Sequence, residues 1–309
     1  RMDRLHASKS GTLSGLIAAP FTPMDKSGEV NLEMIDRLAE ALVADGVKGA
    51  FVCGTTGESL SLTVEERKAV AERWIKASGG RLRIIVHAGH PCLKDAKELV
   101  RHAASAGADA VSAMPPSFFR PATLADLVDW CAAVAAEAPK TPFYYYHIPE
   151  MTGVTFRMID FLEQAEGSIP TLAGIKFTHG DLMDFAACAS FSDGRYAMLI
   201  GKDEILLSAL VAGARGAVGS TYNYAAPIYL QVIKALEEGD VRSAQEAQLK
   251  AVQMIRTISK YGGLPAQKAI MKMRGLDCGP ARPPLRNLSP AEYQRLQEEL
   301  AALGVVPRG

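Results

Sequence analysis

The feature that most constrains the fold of this sequence is a regular alternation of short, β-rich runs with longer runs of helical periodicity. The helical stretches between the β-rich runs include Leu32–Ala44, Val64–Ala77, Lys94–Ala106 and Leu124–Ala138. Alternation of this kind favours a parallel sheet whose strands are joined by crossover helices. The eight predicted strands are Leu16–Pro20, Gly49–Cys53, Arg83–His87, Ala110–Ala113, Pro142–His147, Ala173–Phe177, Ala197–Ile200 and Gly216–Gly219.

Eight strand–helix units in roughly 210–220 residues match the size of a closed barrel. The predicted fold class is therefore α/β, a (β/α)8 TIM barrel with a C-terminal helical extension. We assign residues 1–225 to the barrel, including a short N-terminal tail, because strands cease after about residue 225. Residues 226–309 form the predicted extension, and the polar residues 1–12 are expected to be frayed. The extension has four helical stretches, Tyr229–Glu238, Arg242–Tyr261, Leu264–Arg274 and Pro290–Leu303.

Charge and cysteine content exclude several classes of function. The 34 basic and 34 acidic residues give no net charge, so nothing attracts a nucleic acid or an anionic membrane over a distance. No apolar run has the length of a membrane span, and we find no signal peptide. The five cysteines are widely spaced and odd in number, which is typical of reduced thiols in a cytoplasmic protein rather than a disulfide framework or metal site.

Catalytic residues of such barrels lie at the carboxyl ends of the strands, so these ends are the candidate site. Strand two runs into Gly54-Thr55-Thr56-Gly57-Glu58. Two hydroxyls, free backbone N–H groups and a following helix start suit a small carboxylate. The alternative is that Thr and Gly only form the turn and cap the helix. For an isolated motif that alternative is the stronger one.

Strands five and six carry residues suited to imine chemistry. In strand five, Tyr144 and Tyr146 share one side because strand side chains alternate, and a phenol can both donate and accept a proton. In strand six, Lys176 lies between apolar neighbours, where desolvation lowers the pKa of an amine and makes it nucleophilic. The alternatives are aromatic packing for the tyrosines, and a lysine that reaches the barrel mouth or pairs with a carboxylate.

Polar clusters end strands seven and eight, at Gly201-Lys202-Asp203-Glu204 and Gly219-Ser220-Thr221-Tyr222-Asn223. Such clusters can hydrogen-bond a polyhydroxyl chain, although acids at a helix start also complement the helix dipole. His87 and His90 flank the end of strand three, but no third ligand is in sight, so we predict no metal site.

Taken together, these motifs resemble the N-acetylneuraminate lyase and dihydrodipicolinate synthase superfamily. The matching segments occur in the expected order along the whole barrel, and PAQKAIMKMRG in the extension is also similar to the family. The resemblance implies a class I aldolase, usually a homotetramer, acting on a keto acid or sugar acid. The segments are GTTGE at 54–58, YHIP..TG at 146–153, GIKFT..DL at 174–182, G.DE at 201–204 and GSTYN at 219–223.

The resemblance also implies roles for individual residues. Lys176 forms an imine with the substrate ketone, so no metal or organic cofactor is needed. Tyr146 mediates proton transfer at the C4 hydroxyl with help from the substrate carboxylate. The carboxylate is held by Thr55, Thr56 and Gly57. The remaining substrate-binding residues implied by the resemblance are Thr178, Gly201, Asp203, Glu204 and Ser220.

Two departures favour the lyase branch of the superfamily. Synthases usually have an arginine two residues after the motif proline, where this chain has Met151, which cannot bind a second substrate's carboxylate. Synthases also usually have a tyrosine of the neighbouring subunit near the position of Phe118. The predicted reaction is therefore cleavage of an N-acetylneuraminate-type sugar acid to pyruvate and N-acetylmannosamine.

Other functions stay open at this point. Lys202 stands where lyases often have an aromatic residue, so one alternative is another pyruvate aldolase that acts on a 2-keto-3-deoxy sugar acid or an aromatic pyruvate. A synthase-like enzyme is also an alternative, with Lys202 or Arg120 as the cation. A regulatory barrel that binds a keto acid without catalysis is a further alternative, against which Lys176 and Tyr146 argue.

Overall fold

The computed structural model describes residues 13–305 and contains a closed barrel of eight parallel strands. Each strand pairs with the next along the chain, and β8 closes on β1 through the register Gly15↔Gly216 to Ala18↔Gly219. The strands are β1 Gly15–Ala18, β2 Gly49–Val52, β3 Arg83–His87, β4 Ala110–Ala113, β5 Phe143–His147, β6 Leu172–Phe177, β7 Ala197–Ile200 and β8 Gly216–Gly219. The predicted (β/α)8 barrel is confirmed, while the predicted fraying of residues 1–12 lies outside the described residues.

Helices surround the barrel and continue beyond it. Three of them begin with capping boxes, in which Thr63, Thr123 or Ser289 exchanges hydrogen bonds with an acid three residues later. The helices are α1 Met34–Ala44, α2 Val64–Ser78, α3 Leu93–Ala106, α4 Leu124–Ala135, α5 Pro149–Thr152, α6 Met158–Ala165, α7 Leu182–Gly194, α8 Leu206–Val211, α9 Tyr222–Glu237, α10 Val241–Ser259, α11 Leu264–Met273 and α12 Pro290–Ala302.

The core has two layers, as the alternation of side chains along a strand requires. Tyr145 belongs to the large cluster between sheet and helices, and it packs against Phe161 of α6 at 4.7 Å between ring centroids. Tyr144 and Tyr146 belong to the smaller cluster inside the barrel, together with Phe51. The interior is therefore filled by side chains, and a site can open only at one of its ends.

The last helices return to the barrel. Helix α10 packs along α9 and against the short 3₁₀ turn Asp203–Ile205, and α11 packs on α9, α10 and α12. The domain boundary drawn at residue 225 falls within α9, where Ala225 has a non-helical φ of −133° two residues before Pro227. The division into barrel and extension stays a prediction. Among residues 13–305, no helix combines the length and apolar character that crossing a bilayer requires.

Candidate active site

A cavity of about 240 Å³ opens at the carboxyl ends of the strands. Nine of the ten site residues predicted from the sequence border it, and the exception is Gly57. The cavity's position is the one that catalytic sites of this barrel type occupy. The nine predicted residues that border it are Thr55, Thr56, Tyr146, Lys176, Thr178, Gly201, Asp203, Glu204 and Ser220.

A larger cavity, of about 580 Å³, lies at the opposite end of the barrel, where the strands begin. It is bordered by Gly15 and Gly216, the first residues of β1 and β8, and by basic side chains including Lys48 and Arg83. We place the candidate site in the smaller cavity because Lys176 and Tyr146 lie there.

Lys176 is a buried amine in aromatic surroundings. It is 4% exposed, and its Nζ lies 3.9 Å from the ring centroid of Phe51 and 4.0 Å from that of Tyr146. Within residues 13–305, no carboxylate pairs with Nζ at salt-bridge distance. Burial lowers the pKa of Lys176 to about 7, although the charge of Asp203 opposes this shift. A substantial fraction of the amine is therefore neutral and nucleophilic near pH 7.

Of the three consecutive tyrosines, only Tyr146 borders the cavity. Its hydroxyl is 3.1 Å from Oγ1 of Thr55, and the ring contacts Phe51 and His87 edge-on. Burial raises the pKa of Tyr146 to about 12, and the neighbouring Thr55 and Thr178 hydroxyls partly offset the rise. Tyr146 is thus a neutral phenol that can relay a proton but does not stand as a phenolate.

The other two tyrosines point elsewhere. Tyr144 lies deeper in the barrel, where a backbone hydrogen bond with Leu13 and the charge of Arg215 act on its hydroxyl. Both partners border the cavity at the opposite end of the barrel. Tyr145 faces the helices. The alternation along β5 separates Tyr145 from the other two, and depth along the strand separates Tyr146 from Tyr144.

The loop Gly54–Gly57 forms a tight turn beside Tyr146. The Glu58 N–H donates to the Thr55 carbonyl at 3.0 Å, and the Ser59 N–H donates to the Gly54 carbonyl at 3.2 Å. Within the described part of the chain, the amide N–H groups of residues 55–57 have no hydrogen-bond acceptor. These donors and the two threonine hydroxyls can receive an anionic oxygen.

Gly57 supports this turn from below. Its carbonyl accepts a hydrogen bond of 2.7 Å from the buried Thr22 hydroxyl. A Cβ at this position would lie 3.0 Å from Cα of Cys53, so the close approach of the two backbone segments favours glycine. The predicted carboxylate contact of Gly57 is therefore limited to its backbone and stays a prediction.

A buried carboxyl group lies under the far wall of the cavity. Asp203 accepts hydrogen bonds from the Thr221 N–H, at 3.1 Å, and from the Thr221 hydroxyl, which in turn lies 2.6 Å from the Tyr229 hydroxyl. Burial raises the pKa of Asp203 to about 6, against the opposing effect of the Thr221 hydrogen bonds. The carboxylate leaves no room for a side chain at Gly219, whose Cβ would lie 1.8 Å from Oδ1.

The side chains considered as a second cation, Lys202 and Arg120, lie outside the cavity lining. Lys202 contacts Glu150 at 2.8 Å and Glu204 at 3.8 Å, and it does not border the cavity. Arg120 donates to the Ser117 carbonyl at 3.0 Å. Met151 is 66% exposed and also lies outside the lining. Within this chain, Lys176 is the one cationic side chain that borders the cavity among the described residues.

His87, considered above as a metal ligand, has both ring nitrogens engaged. Its Nδ1 lies 2.9 Å from the Cys53 carbonyl, and the Met114 N–H donates to Nε2 at 3.2 Å. This arrangement assigns a neutral ring with the proton on Nδ1. Burial and the charge of Arg67 hold the pKa of His87 well below its usual range. Among residues 13–305 there is no group of three or more His, Cys, Asp or Glu side chains arranged for a metal ion.

The sequence did not predict that the helical extension forms part of the cavity wall. Five residues of the extension border the cavity, and Gln267 among them accepts a hydrogen bond of 2.8 Å from the Tyr224 hydroxyl. The segment PAQKAIMKMRG, singled out above only for its familiar pattern, contains Gln267 and was the one available signal. The five residues are Ile255, Ile258, Ser259, Gly263 and Gln267.

Comparison with known proteins places these features in context. A family model described as the dihydrodipicolinate synthetase family matches residues 12–303. The N-acetylneuraminate lyase of Mus musculus is 43% identical over 296 residues, covering 94% of this chain and 92% of the mouse protein.

Solved structures give the same picture. The N-acetylneuraminate lyase of Proteus mirabilis superposes with a TM-score of 0.92 at 43% identity, covering 95% of this chain and 99% of that one. The N-acetylneuraminate lyase (sialic acid aldolase) of Aliivibrio salmonicida has a TM-score of 0.92 at 45% identity, covering 95% of this chain and 97% of that one.

Proposed function

This chain belongs to the dihydrodipicolinate synthetase family, and we propose that it cleaves N-acetylneuraminate-type sugar acids to pyruvate and N-acetylmannosamine. The resemblance found in the sequence motifs, including its lean toward the lyase branch, is confirmed by the relatives above. The observation that carries the proposal is Lys176, a buried amine with a pKa of about 7 whose Nζ lies 4.0 Å from the ring of Tyr146.

The reaction begins with the neutral amine of Lys176 attacking the C2 ketone of the open-chain substrate. Loss of water from the carbinolamine gives a protonated imine, which is the electron sink for the following step. The substrate carboxylate binds to the threonine hydroxyls and backbone N–H groups of Thr55, Thr56 and Gly57. This contact orients C2 toward Lys176 and C4 toward Tyr146.

Cleavage of the C3–C4 bond requires loss of the proton from the C4 hydroxyl. Tyr146 accepts this proton and passes its own toward the substrate carboxylate, since a phenol with a pKa of about 12 is not ionised beforehand. The electron pair of the broken bond moves into the imine and leaves an enamine, and the aldehyde departs. Protonation at C3 and hydrolysis of the imine then release pyruvate and restore Lys176.

The polyhydroxyl tail of the substrate extends toward the ends of β7 and β8. Glu204, Ser220 and Thr178 offer hydroxyl or carboxylate partners, and the absence of a side chain at Gly201 allows the close approach of Thr178 to the end of β7. Asp203 supports this wall through its hydrogen bonds to Thr221. Its carboxylate also moderates the pKa of Lys176.

The remaining parts of the proposal concern cofactors, assembly and location. The covalent imine on Lys176 makes a metal or organic cofactor unnecessary. We propose a homotetramer, because Phe118 and Phe119 are 83% and 86% exposed and pack edge-to-face with ring centroids 5.0 Å apart, which suits a protein interface. The five free cysteines, four of them buried, suit the reducing cytoplasm.

The test is an assay of pyruvate release from N-acetylneuraminate, combined with borohydride reduction in the presence of pyruvate. We expect pyruvate release and a stable adduct of pyruvate mass on Lys176, located by peptide mass spectrometry. If the adduct forms on Lys176 but N-acetylneuraminate and related sugar acids release no pyruvate, the protein is an aldolase that acts on a different substrate. If neither the adduct nor pyruvate release is observed, the proposed function is ruled out, and the alternative of a regulatory barrel that binds a keto acid without catalysis is favoured.

A further inference from the structure

Two ion pairs join the segment around the Gly54–Gly57 loop to the C-terminal part of the chain. Glu58, which follows the loop directly, contacts Nζ of Lys268 in α11 at 2.6 Å, and both side chains are 2% exposed. Nearer the surface, the Arg282 guanidinium binds Glu66 of α2 through two contacts, at 2.7 and 2.5 Å. These residues are 200 or more positions apart in the sequence.

Each member of the buried pair also has a backbone partner, while Oε1 of Glu58 is held, among the described residues, by the contact with Lys268 alone. The second oxygen of Glu58, Oε2, accepts a bond of 2.8 Å from the Arg282 backbone N–H, and Lys268 also donates to the Pro280 carbonyl at 2.9 Å. A buried ion pair of this kind is a poor source of stability, because desolvation of the charges consumes most of their attraction. What such a pair supplies is a fixed geometry between the elements it joins.

The elements joined here both contribute to the wall of the cavity. Thr55 and Thr56 precede Glu58 in the turn, and Gln267 precedes Lys268 in α11, and all three border the cavity. The turn itself is held in an unfavourable conformation, since Cys53 and Glu58 on either side of it both have a φ of +58°. A strained turn persists only where its surroundings impose it.

We propose that Glu58 and Lys268 are positioning residues that fix the Gly54–Gly57 turn against α11 and so set its geometry for the substrate carboxylate. In naming a carboxylate as the ligand of the turn, this inference rests on the proposed function. Neither side chain touches the substrate. Through this pair the helical extension determines how well the barrel holds a keto acid.

The experiment compares Lys268→Met, the double variant Glu58→Gln/Lys268→Met and the control Lys272→Met. Lys272 lies on the same helix, 61% exposed and 4.0 Å from Asp277, so its loss removes a charge without touching the turn. Pyruvate is the probe, and the half-saturating pyruvate concentration for borohydride trapping on Lys176 is measured for each protein. Hydrogen exchange at the Glu58 and Ser59 amides reports on the turn directly.

In Lys268→Met we expect the half-saturating pyruvate concentration to rise by about tenfold, as a small misplacement of binding groups does, with little change in the trapping rate at saturation. The two amides should exchange faster, and those in Lys272→Met should not. The double variant leaves no unpaired buried charge, so it should regain the stability of the unaltered protein and still bind pyruvate weakly. If Lys268→Met does not fold, the double variant still tests the inference.

An unchanged half-saturating concentration and unchanged amide exchange in the folded double variant would overturn the inference, because the pair would then serve stability alone. Failure of the unaltered protein to trap pyruvate is a different outcome. It would remove the proposed function, and amide exchange at Glu58 and Ser59 would still decide whether the pair positions the turn.

Discussion

An amine that is 4% exposed between Ile175 and Phe177, both fully buried, has little to gain from staying protonated. Its Nζ lies 3.9 Å and 4.0 Å from the ring centroids of Phe51 and Tyr146, and no carboxylate among the described residues pairs with it. Such an environment suits a nucleophilic lysine, whereas a lysine with a purely structural role would gain little stability there. The three predictions at the scale of single residues follow from these surroundings.

Replacing Lys176 by Ala should abolish both pyruvate trapping and turnover, because no other cationic side chain of the described chain borders the cavity. The circular dichroism spectrum should be unchanged, since the substitution removes a buried charge and leaves the strand intact. Lys272→Ala, on the exposed surface of α11, is the matched control and should retain full activity. Turnover by a folded Lys176→Ala protein would contradict the imine mechanism.

For Tyr146→Phe we expect slow imine formation and a loss of about 10²- to 10⁴-fold in carbon–carbon cleavage, the usual contribution of a positioned acid–base group. Single-turnover measurements separate the two steps. Tyr144→Phe is the control, because it removes a tyrosine hydroxyl that faces the other end of the barrel. The cleavage rate of this variant should change little. The reverse ranking of the two variants would assign the proton relay to Tyr144.

The pH dependence of imine formation should follow the pKa of Lys176. Only the neutral amine attacks, so the trapping rate at low pyruvate concentration should rise with pH through a midpoint at about 7 and then level off. Between pH 6 and pH 8 the neutral fraction of such a group grows roughly tenfold. Because the charge of Asp203 raises the pKa of Lys176, Asp203→Asn should move the midpoint to lower pH. A midpoint that moves upward would contradict this electrostatic account.

At the scale of elements, the ends of β6 and β7 meet where Gly201 faces Thr178. A Cβ on Gly201 would lie 1.9 Å from Oγ1 and 2.9 Å from Cβ of Thr178, so Gly201→Ala must displace one of the two strand ends. We expect a loss of stability of about 1–3 kcal/mol, typical of overpacking, and weaker substrate binding. Gly180→Ala, with nothing within 4 Å of its Cβ, is the control. Denaturant unfolding and the KM for the sugar acid measure both effects.

How far the sequence predicts the elements depends on what each one contacts. The eight strands were predicted almost to the residue, because strands of a parallel barrel are buried on both faces and appear as short apolar runs. Helix α9 was predicted from Tyr229 but begins at Tyr222, since Pro227 and the polar segment before it resemble a loop. The contribution of α10 and α11 to the cavity was not predicted, because periodicity shows that a face is apolar and not which element covers it.

The candidate site, like the secondary-structure elements, was predictable from the sequence only in part. Residues placed at strand ends by the barrel's own geometry, such as Lys176 and Asp203, were predictable from the motifs. The choice of Tyr146 over Tyr144 from the residues alone was not, because side-chain alternation puts both inside the barrel and only depth along β5 separates them.

At the scale of the whole molecule, the choice between lyase and synthase depends on residues at the outer edge of the site. Met151 and Phe118 are 66% and 83% exposed in the single chain and stay outside the cavity lining. If two chains associate through the Phe118–Phe119 surface, these positions become part of the site's surroundings. Neither side chain can then bind a carboxylate or relay a proton.

We therefore expect this protein to release pyruvate from N-acetylneuraminate and to show no detectable condensation of pyruvate with aspartate semialdehyde. The semialdehyde carries a carboxylate that needs a cation, and a missing partner for a charged group commonly costs roughly 1–3 kcal/mol or more. Lys202 cannot replace that cation, since its amine is engaged by Glu150 at 2.8 Å and Glu204 at 3.8 Å.

Both substrates should be assayed side by side with one enzyme preparation, together with Met151→Arg. This variant supplies the cation that synthases usually have at that position, but it leaves Phe118 without a phenol. It should bind the semialdehyde more tightly as a competitive inhibitor of the lyase reaction and still condense it slowly, because a bound second substrate also needs a proton relay. Faster condensation than lyase activity in the unaltered protein would reverse the assignment and show that the outer residues do not decide the branch.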